Sequence, residues 1–127
     1  MKIVKHTRSA NAGAILDALR RYRQEYERLK RQLRGVGYIC LGSVSQRWLT
    51  CGTPSCACHT DPNRRHGPYY QWTRKVNGRT EARMLDASLV RLYREGIQNH
   101  QRLDAIVKKM QEVSLAAFEA AKIRAKS

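Results

Sequence analysis

Three cysteines and two histidines lie close together in the segment from residue 51 to residue 66. Thiolates and imidazoles are the ligands of structural zinc, which takes four of them in a closed tetrahedron. Cys51, Cys56 and Cys58 supply three sulfurs, and the fourth ligand is either His59 or His66. In a reducing compartment such a cluster indicates a metal site rather than disulfides. The spacing therefore predicts a structural Zn2+ site at Cys51, Cys56, Cys58 and His66.

His66 is the preferred fourth ligand because it closes a longer loop and lies where the chain enters a predicted hairpin. The side chain of His59 is expected to point away, since His59 directly follows Cys58. The sequence leaves this choice open. Cys40 lies further upstream in a predicted strand, where a free cysteine is expected to pack as a small apolar side chain.

Other thiol chemistry fits the segment less well. It contains no Cys-x-x-Cys pair, and a bridge between Cys56 and Cys58 would be strained. A catalytic zinc keeps one open position beside a general base. Asp61 is the one acidic residue between positions 35 and 80. With no nucleophile, base and carboxylate constellation in the sequence, we expect a protein that is not an enzyme.

The wider string around the cysteines resembles a family of small uncharacterised prokaryotic proteins that is catalogued as a domain of unknown function. It carries Gly42-Ser43, Arg47-Trp48, a Cys-Gly-x-Pro-x-Cys-x-Cys motif from Cys51 to Cys58, and His-Gly-Pro-Tyr-Tyr from His66 to Tyr70. A basic Asn-Gly hairpin and a long helix follow. The likeness covers about residues 38–115. It implies that Cys51, Cys56, Cys58 and His66 act as one unit, and it implies no activity.

Two long helices are predicted on either side of this segment. The first spans residues 10–34, with Ser9 or Asn11 as the N-cap and glycines after Arg34 as the stop. Its apolar seam is too long to be buried without a partner, so the helices pair with each other or with a second copy of the chain. The seam recurs at alternating spacings of about four and three residues at Ile15, Leu19, Tyr22, Tyr26, Leu29 and Leu33.

The second helix is predicted over residues 87–124, capped by Asp86 or Ser88. Gly96, Asn99 and His100 interrupt its apolar stripe, which predicts a kink or break there.

Three strands are predicted between the helices: Tyr38–Leu49, bent or bulged near Gly42, then Tyr69–Val76 and Arg79–Leu85. Asn77-Gly78 favours a two-residue type I′ turn, which would place Val76 opposite Arg79, Arg74 opposite Glu81 and Trp72 opposite Arg83. The expected fold class is α+β. One domain, residues 1–127, contains a long N-terminal helix, a zinc-tied three-stranded antiparallel unit over residues 38–85, and a long C-terminal helix.

The charge of the chain suggests its partner. Twenty-five Lys and Arg against ten Asp and Glu give a net charge of +15. Such a chain is attracted to polyphosphates, so we expect a nucleic-acid-binding accessory protein, for DNA more than for RNA. Trp72 or Tyr70 would stack on bases. The predicted contacts are Arg20, Arg21, Arg28, Arg31, Arg64, Arg65, Trp72, Arg74, Lys75, Arg79 and Arg83.

An alternative function is a protein–protein adaptor or inhibitor. In this reading the helices dock on a larger acidic partner, such as a recombinase, nuclease or defence complex, and a homodimer through the helices is also expected. The first residues lack the apolar region of a secretory signal, and no stretch reaches the roughly 18 apolar residues of a membrane span. A cytoplasmic protein with no membrane partner is therefore expected.

Overall fold

The computed structural model describes the backbone of residues 2–126 and the side chains of residues 12–126. Its helices are α1, Lys2–Arg34, and α2, Val90–Lys126, and its strands are β1, Ser43–Leu49, β2, His66–Val76, and β3, Arg79–Leu85. This is the predicted fold class. The chain forms two compact units: Met1–Val36 with Arg102–Ser127, called the helical unit here, and Gly37–Gln101, called the sheet unit.

The helical unit pairs α1 with the C-terminal part of α2. Ala14, Ile15 and Ala18 line one groove with Ala120 and Ile123, while Tyr26 and Leu33 line another with residues from Val107 to Phe118. Early residues of α1 thus face late residues of α2, so the two helices run antiparallel. Of the two alternatives left open by the sequence, the helices pair with each other. The best-buried side chains of the pair are Leu29 and Ile106.

Helix α1 begins earlier than predicted, because Ser9 and Asn11 lie within the helix rather than at its N-cap. Its end is as predicted. The amides of Gly35 and Val36 bond to the carbonyls of Gln32 and Leu33, each at 3.1 Å, which closes the last turn.

In the sheet unit the three strands are antiparallel in the order β1-β2-β3. Asn77 and Gly78 have φ angles of 51° and 79°, as a type I′ turn requires at both central positions. The turn fixes the register, and all three predicted pairs form: Val76 with Arg79, Arg74 with Glu81, and Trp72 with Arg83.

One face of this sheet packs on the first turns of α2. Successive side chains of a strand point to opposite faces, so Tyr70 and Trp72 share a face with Val44 of β1. The Trp72 ring meets the Tyr93 ring edge-on at 5.2 Å, which places the α2 helix on this face. The opposite face carries mainly polar side chains such as Ser45, Arg47, Gln71 and Lys75.

The predicted first strand is too long at its N-terminal end. Residues 38–42 are not part of the sheet, and β1 begins at Ser43, directly after Gly42 with a φ of 97°. The irregularity in pairing lies between Arg47 and Leu49 rather than near Gly42.

Residues 38–41 instead lie along α2. The Asn99 side-chain amide donates to the Tyr38 carbonyl at 2.8 Å, and the Cys40 amide donates to the Gly96 carbonyl at 2.9 Å. Gly96 and Asn99 thus anchor this segment, and α2 runs as one helix through the predicted break.

Within the described residues, neither helix contains an apolar stretch long enough to cross a membrane.

Candidate functional site

Cys51, Cys56, Cys58 and His66 lie at the end of the β1–β2 pair where β1 ends and β2 begins. Leu49 pairs with His66, so the connecting segment begins and ends at the same edge of the sheet. Two turns shape this segment. The Cys56 amide bonds to the Thr53 carbonyl at 3.1 Å, and Cys56 then precedes a single 3-10 turn over Ala57–His59. These turns direct the three sulfurs inward towards the start of β2.

A second 3-10 turn, Pro62–Arg64, returns the chain to the sheet. The Asp61 carboxylate accepts a hydrogen bond from the Asn63 amide at 3.0 Å and caps this turn. The following Gly67 fits a narrow space, because a Cβ there would lie 2.7 Å from the Arg47 carbonyl oxygen. The local sequence thus fixes the strand that carries His66.

The four predicted ligands form one cluster. One ligand atom each from Cys51, Cys56, Cys58 and His66 lies within 4.8 Å of all the others. The Cys51 and Cys58 sulfurs are 3.6 Å apart, and the Cys56 sulfur is 3.5 Å from His66 Nε2. A zinc tetrahedron with bonds of about 2.1–2.3 Å has edges of about 3.4–3.8 Å. The cluster therefore has the donor set of a metal site, and two of its ligand–ligand distances match the edges of such a tetrahedron.

The cysteines form no disulfide, and two candidate ligands lie outside the cluster. All four cysteines are free thiols, and the 3.6 Å sulfur separation is far beyond a disulfide bond of about 2.0 Å. His59, the alternative fourth ligand, is exposed at the end of its 3-10 turn and is outside the cluster. Cys40 is also outside it and packs against Gly96, as expected for a small apolar side chain.

The cluster lowers the pKa of two of its thiols. A backbone hydrogen bond at Thr53 lowers the pKa of Cys51 to about 6. A backbone hydrogen bond at Cys58, followed by the bond with His66, lowers the pKa of Cys56. The sulfur of Cys56 in turn raises the pKa of His66. Thiolate is the metal-binding form of cysteine, so these contacts favour cation binding.

Cys58 is the buried member of the cluster, with 2% of its surface exposed. Its sulfur accepts a hydrogen bond from the Cys51 amide at 3.3 Å, which favours the thiolate. Burial and the neighbouring sulfurs outweigh this bond, and the pKa of Cys58 is raised. A bound cation would remove this penalty, because it offsets the charge of the sulfurs around it.

A family model described as a domain of unknown function, DUF6788, matches residues 15–95, which is more than half of the chain. The chain belongs to this family. The match includes most of α1, which the resemblance noted from the sequence left out, and it ends within α2. The candidate metal cluster lies inside the matched range. No curated protein and no solved structure matched the chain.

The predicted basic contacts on α1 are exposed, and two of them lie close to acidic side chains. Arg28 bonds to Glu25 one turn earlier, and Arg20 lies 3.9 Å from Asp17. Arg20, Arg23 and Arg31 line a shallow depression on the surface of the helix. Arg23 adds to the cations predicted for this surface, which are Arg20, Arg21, Arg28 and Arg31.

Trp72 and Arg74 are part of the packing of the sheet unit. The Trp72 indole donates to the Leu41 carbonyl at 2.8 Å, and the Arg74 guanidinium lies over its ring at 4.9 Å. Arg74 is also 3.6 Å from Glu81 across the hairpin. Trp72 pairs with Arg83 across the hairpin as predicted, while Arg74, two residues further along β2, supplies the cation over its ring.

The remaining predicted cations of the sheet unit are solvent-exposed. Arg64 lies 3.7 Å from Asp61. The other members are Arg65 beside the metal cluster and three residues around the β2–β3 turn: Lys75, Arg79 and Arg83.

Proposed function

We propose that the chain is a small zinc-containing accessory protein that binds nucleic acid, DNA in preference to RNA. The observation that carries this proposal is that basic side chains outnumber acidic ones in the sheet unit and that each acidic side chain there already has a partner. Nine basic and four acidic residues lie between Gly37 and Gln101. Three of the acids are within ion-pair distance of an arginine, and the fourth, Asp86, accepts hydrogen bonds from Ser88.

Because the acidic side chains are already paired, several cations have no acidic partner among the described residues. Arg65, Lys75, Arg79 and Arg83 are exposed and in no ion pair of the described part of the chain. A solvated surface usually mixes charges of both signs, whereas phosphate binding needs uncompensated lysines and arginines. These four side chains would contact the phosphates of a bound strand.

Zinc supports this function by holding the scaffold. Three of the four ligands come from the segment that connects β1 to β2, and His66 comes from the start of β2. A Zn2+ ion at Cys51, Cys56, Cys58 and His66 ties them together, and the free energy of metal binding adds to that of folding. The metal has no step of its own to perform. It fixes the segment that carries Arg64 and Arg65 relative to the sheet.

Mobility-shift titrations over a series of salt concentrations test this proposal. With about four phosphate contacts, log K should fall with log salt at a slope of about −4. Arg79→Gln and Arg83→Gln should each reduce the slope by about 1. Arg91→Gln is the matched control, because Glu95 at 3.1 Å already balances that charge. Absence of binding at low salt would reject the proposal.

A second candidate function is an adaptor that docks through the helical unit. The groove between α1 and α2 leaves Leu115 and Phe118 exposed by 61% and 69%. Elsewhere on its surface α1 carries Arg20, Arg23 and Arg31 around a shallow depression, which favours an acidic helical partner. A partner that stays bound after nuclease treatment and in high salt, and is lost from Phe118→Asp, would support this function. Concentration-dependent sedimentation that Phe118→Asp abolishes would instead show a homodimer.

A further inference from the structure

The sheet unit contains an open, aromatic-lined cavity of about 340 Å³. Most of its lining comes from five side chains: Tyr38, Ile39, Trp72, Leu92 and Tyr93. Several of these side chains are strongly exposed: Tyr38 by 91%, Leu92 by 54% and Ile39 by 50%. The walls are therefore apolar, aromatic and open to solvent.

Tyr38 is exposed although its backbone is firmly held. The Tyr38 carbonyl accepts from Asn99 at 2.8 Å, and the Cys40 amide donates to Gly96 at 2.9 Å. The Leu41 carbonyl accepts from the Trp72 indole at 2.8 Å. Three tertiary hydrogen bonds thus fix a segment whose aromatic side chain points into water. A rigid segment that presents an exposed ring loses little conformational entropy when a ligand covers that ring.

Cations lie beside two aromatic side chains of this sheet face: Trp72, which lines the cavity, and Tyr70, which lies outside its lining. The Arg74 guanidinium is 4.9 Å from the centre of the Trp72 ring. The Arg94 guanidinium, one residue after Tyr93 in α2, is 6.0 Å from the centre of the Tyr70 ring. A ligand that combines planar aromatic groups with negative charge fits both features, and single-stranded nucleic acid is such a ligand. A duplex fits less well, because its bases are already stacked and paired.

We propose that this cavity binds an unpaired base of single-stranded DNA, which stacks on Tyr38 at the mouth of the cavity beside Trp72. The inference rests on the proposed nucleic-acid binding and adds a preference for single strands over duplexes. The exposed cations attract the phosphates, and the aromatic cavity distinguishes single strands from duplexes. Removing the Tyr38 ring should therefore weaken binding to single strands without changing the number of phosphate contacts.

Fluorescence anisotropy with the zinc-loaded protein tests the inference. The probes are a labelled dT oligomer, an abasic oligomer of the same length and a matched duplex. Tyr38→Ala should lower affinity for the dT oligomer about tenfold and leave the abasic oligomer and the duplex unaffected. The salt slope should stay unchanged. Tyr69→Ala is the matched control, because Tyr69 is 42% exposed on the opposite face of β2.

The emission of Trp72 provides a second readout. In a Trp48→Phe background Trp72 is the one remaining tryptophan, and we expect the dT oligomer to quench it and the abasic oligomer to leave it unchanged. Tyr38→Leu keeps an apolar side chain and should behave like Tyr38→Ala, which separates stacking from loss of bulk.

Two results would reject base binding in the cavity while leaving the proposed function in place. One is equal affinity of the wild type for the dT and abasic oligomers, and the other is wild-type affinity of Tyr38→Ala for the dT oligomer. Failure of all three probes to bind at low salt would reject the proposed function as well.

Discussion

The backbone of Cys40 lies directly against α2 at Gly96. The Cys40 amide is 2.9 Å from the Gly96 carbonyl, and a Cβ on Gly96 would lie 2.7 Å from the Cβ of Cys40. Gly96 is itself buried. Glycine within a helix costs about 1 kcal/mol relative to alanine. The close approach explains why a glycine occupies this position, since a larger residue would push the segment off the helix.

Gly96→Ala should therefore destabilise the protein although alanine is the better helix former. We expect a loss of about 1–3 kcal/mol in the free energy of unfolding, as for other overpacked sites. Gly13→Ala is the matched control. A Cβ on Gly13 meets nothing within 4 Å, so this variant should gain about 0.5–1 kcal/mol. Urea unfolding of both variants measures the contrast, and equal effects of the two would show that no close contact exists at Gly96.

Substitutions at Gly42 and Gly78 can distinguish the cost of backbone strain from the cost of a steric clash. Both have positive φ angles, 97° and 79°. A Cβ on Gly78 meets open space, whereas a Cβ on Gly42 would lie 2.1 Å from the Thr73 carbonyl oxygen. Gly78→Ala should cost about 1–2 kcal/mol, the cost of the left-handed conformation alone. Gly42→Ala should cost clearly more, because β1 must also move away from β2. Thermal unfolding compares the two, and a smaller loss for Gly42→Ala contradicts the geometry.

The Asp86 carboxylate should make part of the stability depend on pH. It accepts hydrogen bonds from the Ser88 amide at 2.9 Å and the Ser88 hydroxyl at 2.8 Å, and these bonds lower its pKa. A lowered pKa in the folded state stabilises the protein above the ordinary carboxyl pKa of about 4 and loses that effect as the pH falls through the folded value. Asp86→Ala should lower the urea midpoint at pH 7.

The destabilisation caused by Asp86→Ala should then shrink as the pH falls below about 4, the ordinary carboxyl pKa, and on through the lowered pKa of the folded carboxylate. Asp86→Asn is the control, because its side-chain oxygen can accept the same hydrogen bonds without titrating. A constant difference between the wild type and Asp86→Ala from pH 7 to pH 3 would contradict the role given to this carboxylate.

Local signals in the sequence were sufficient to predict the hairpin and the cluster of Cys51, Cys56, Cys58 and His66. Asn77-Gly78 fixes the turn, and the turn fixes the register as far as Trp72 and Arg83. The spacing of the cysteines and the place of His66 at the start of β2 predicted the ligands that the structure brings together. In these cases the interacting residues are near in sequence or joined by one short loop.

Features that depend on distant parts of the chain could not be predicted. Tyr38 and Ile39 have the composition of a strand, but hydrogen bonds to Gly96 and Asn99 in α2 hold this segment out of the sheet. Gly96 and Asn99 also led to the predicted break in α2. In the structure they instead anchor the segment that contains Tyr38 and Ile39. The sequence alone also does not show which face of the hairpin is buried, because Tyr93 of α2 defines it. Alternation along a strand gives two faces and does not say which one a helix covers.

The candidate metal cluster leads to a prediction with two internal controls. Purified protein should contain one equivalent of Zn2+, and Cys51→Ser, Cys56→Ser, Cys58→Ser and His66→Ala should each lose it. His59→Ala and Cys40→Ala should retain it, because both side chains are outside the cluster. A chelator should unfold the sheet unit of the wild type, since metal binding and folding are coupled. Elemental analysis and circular dichroism measure both effects, and a metal-free native protein with an intact fold would contradict the structural role of zinc.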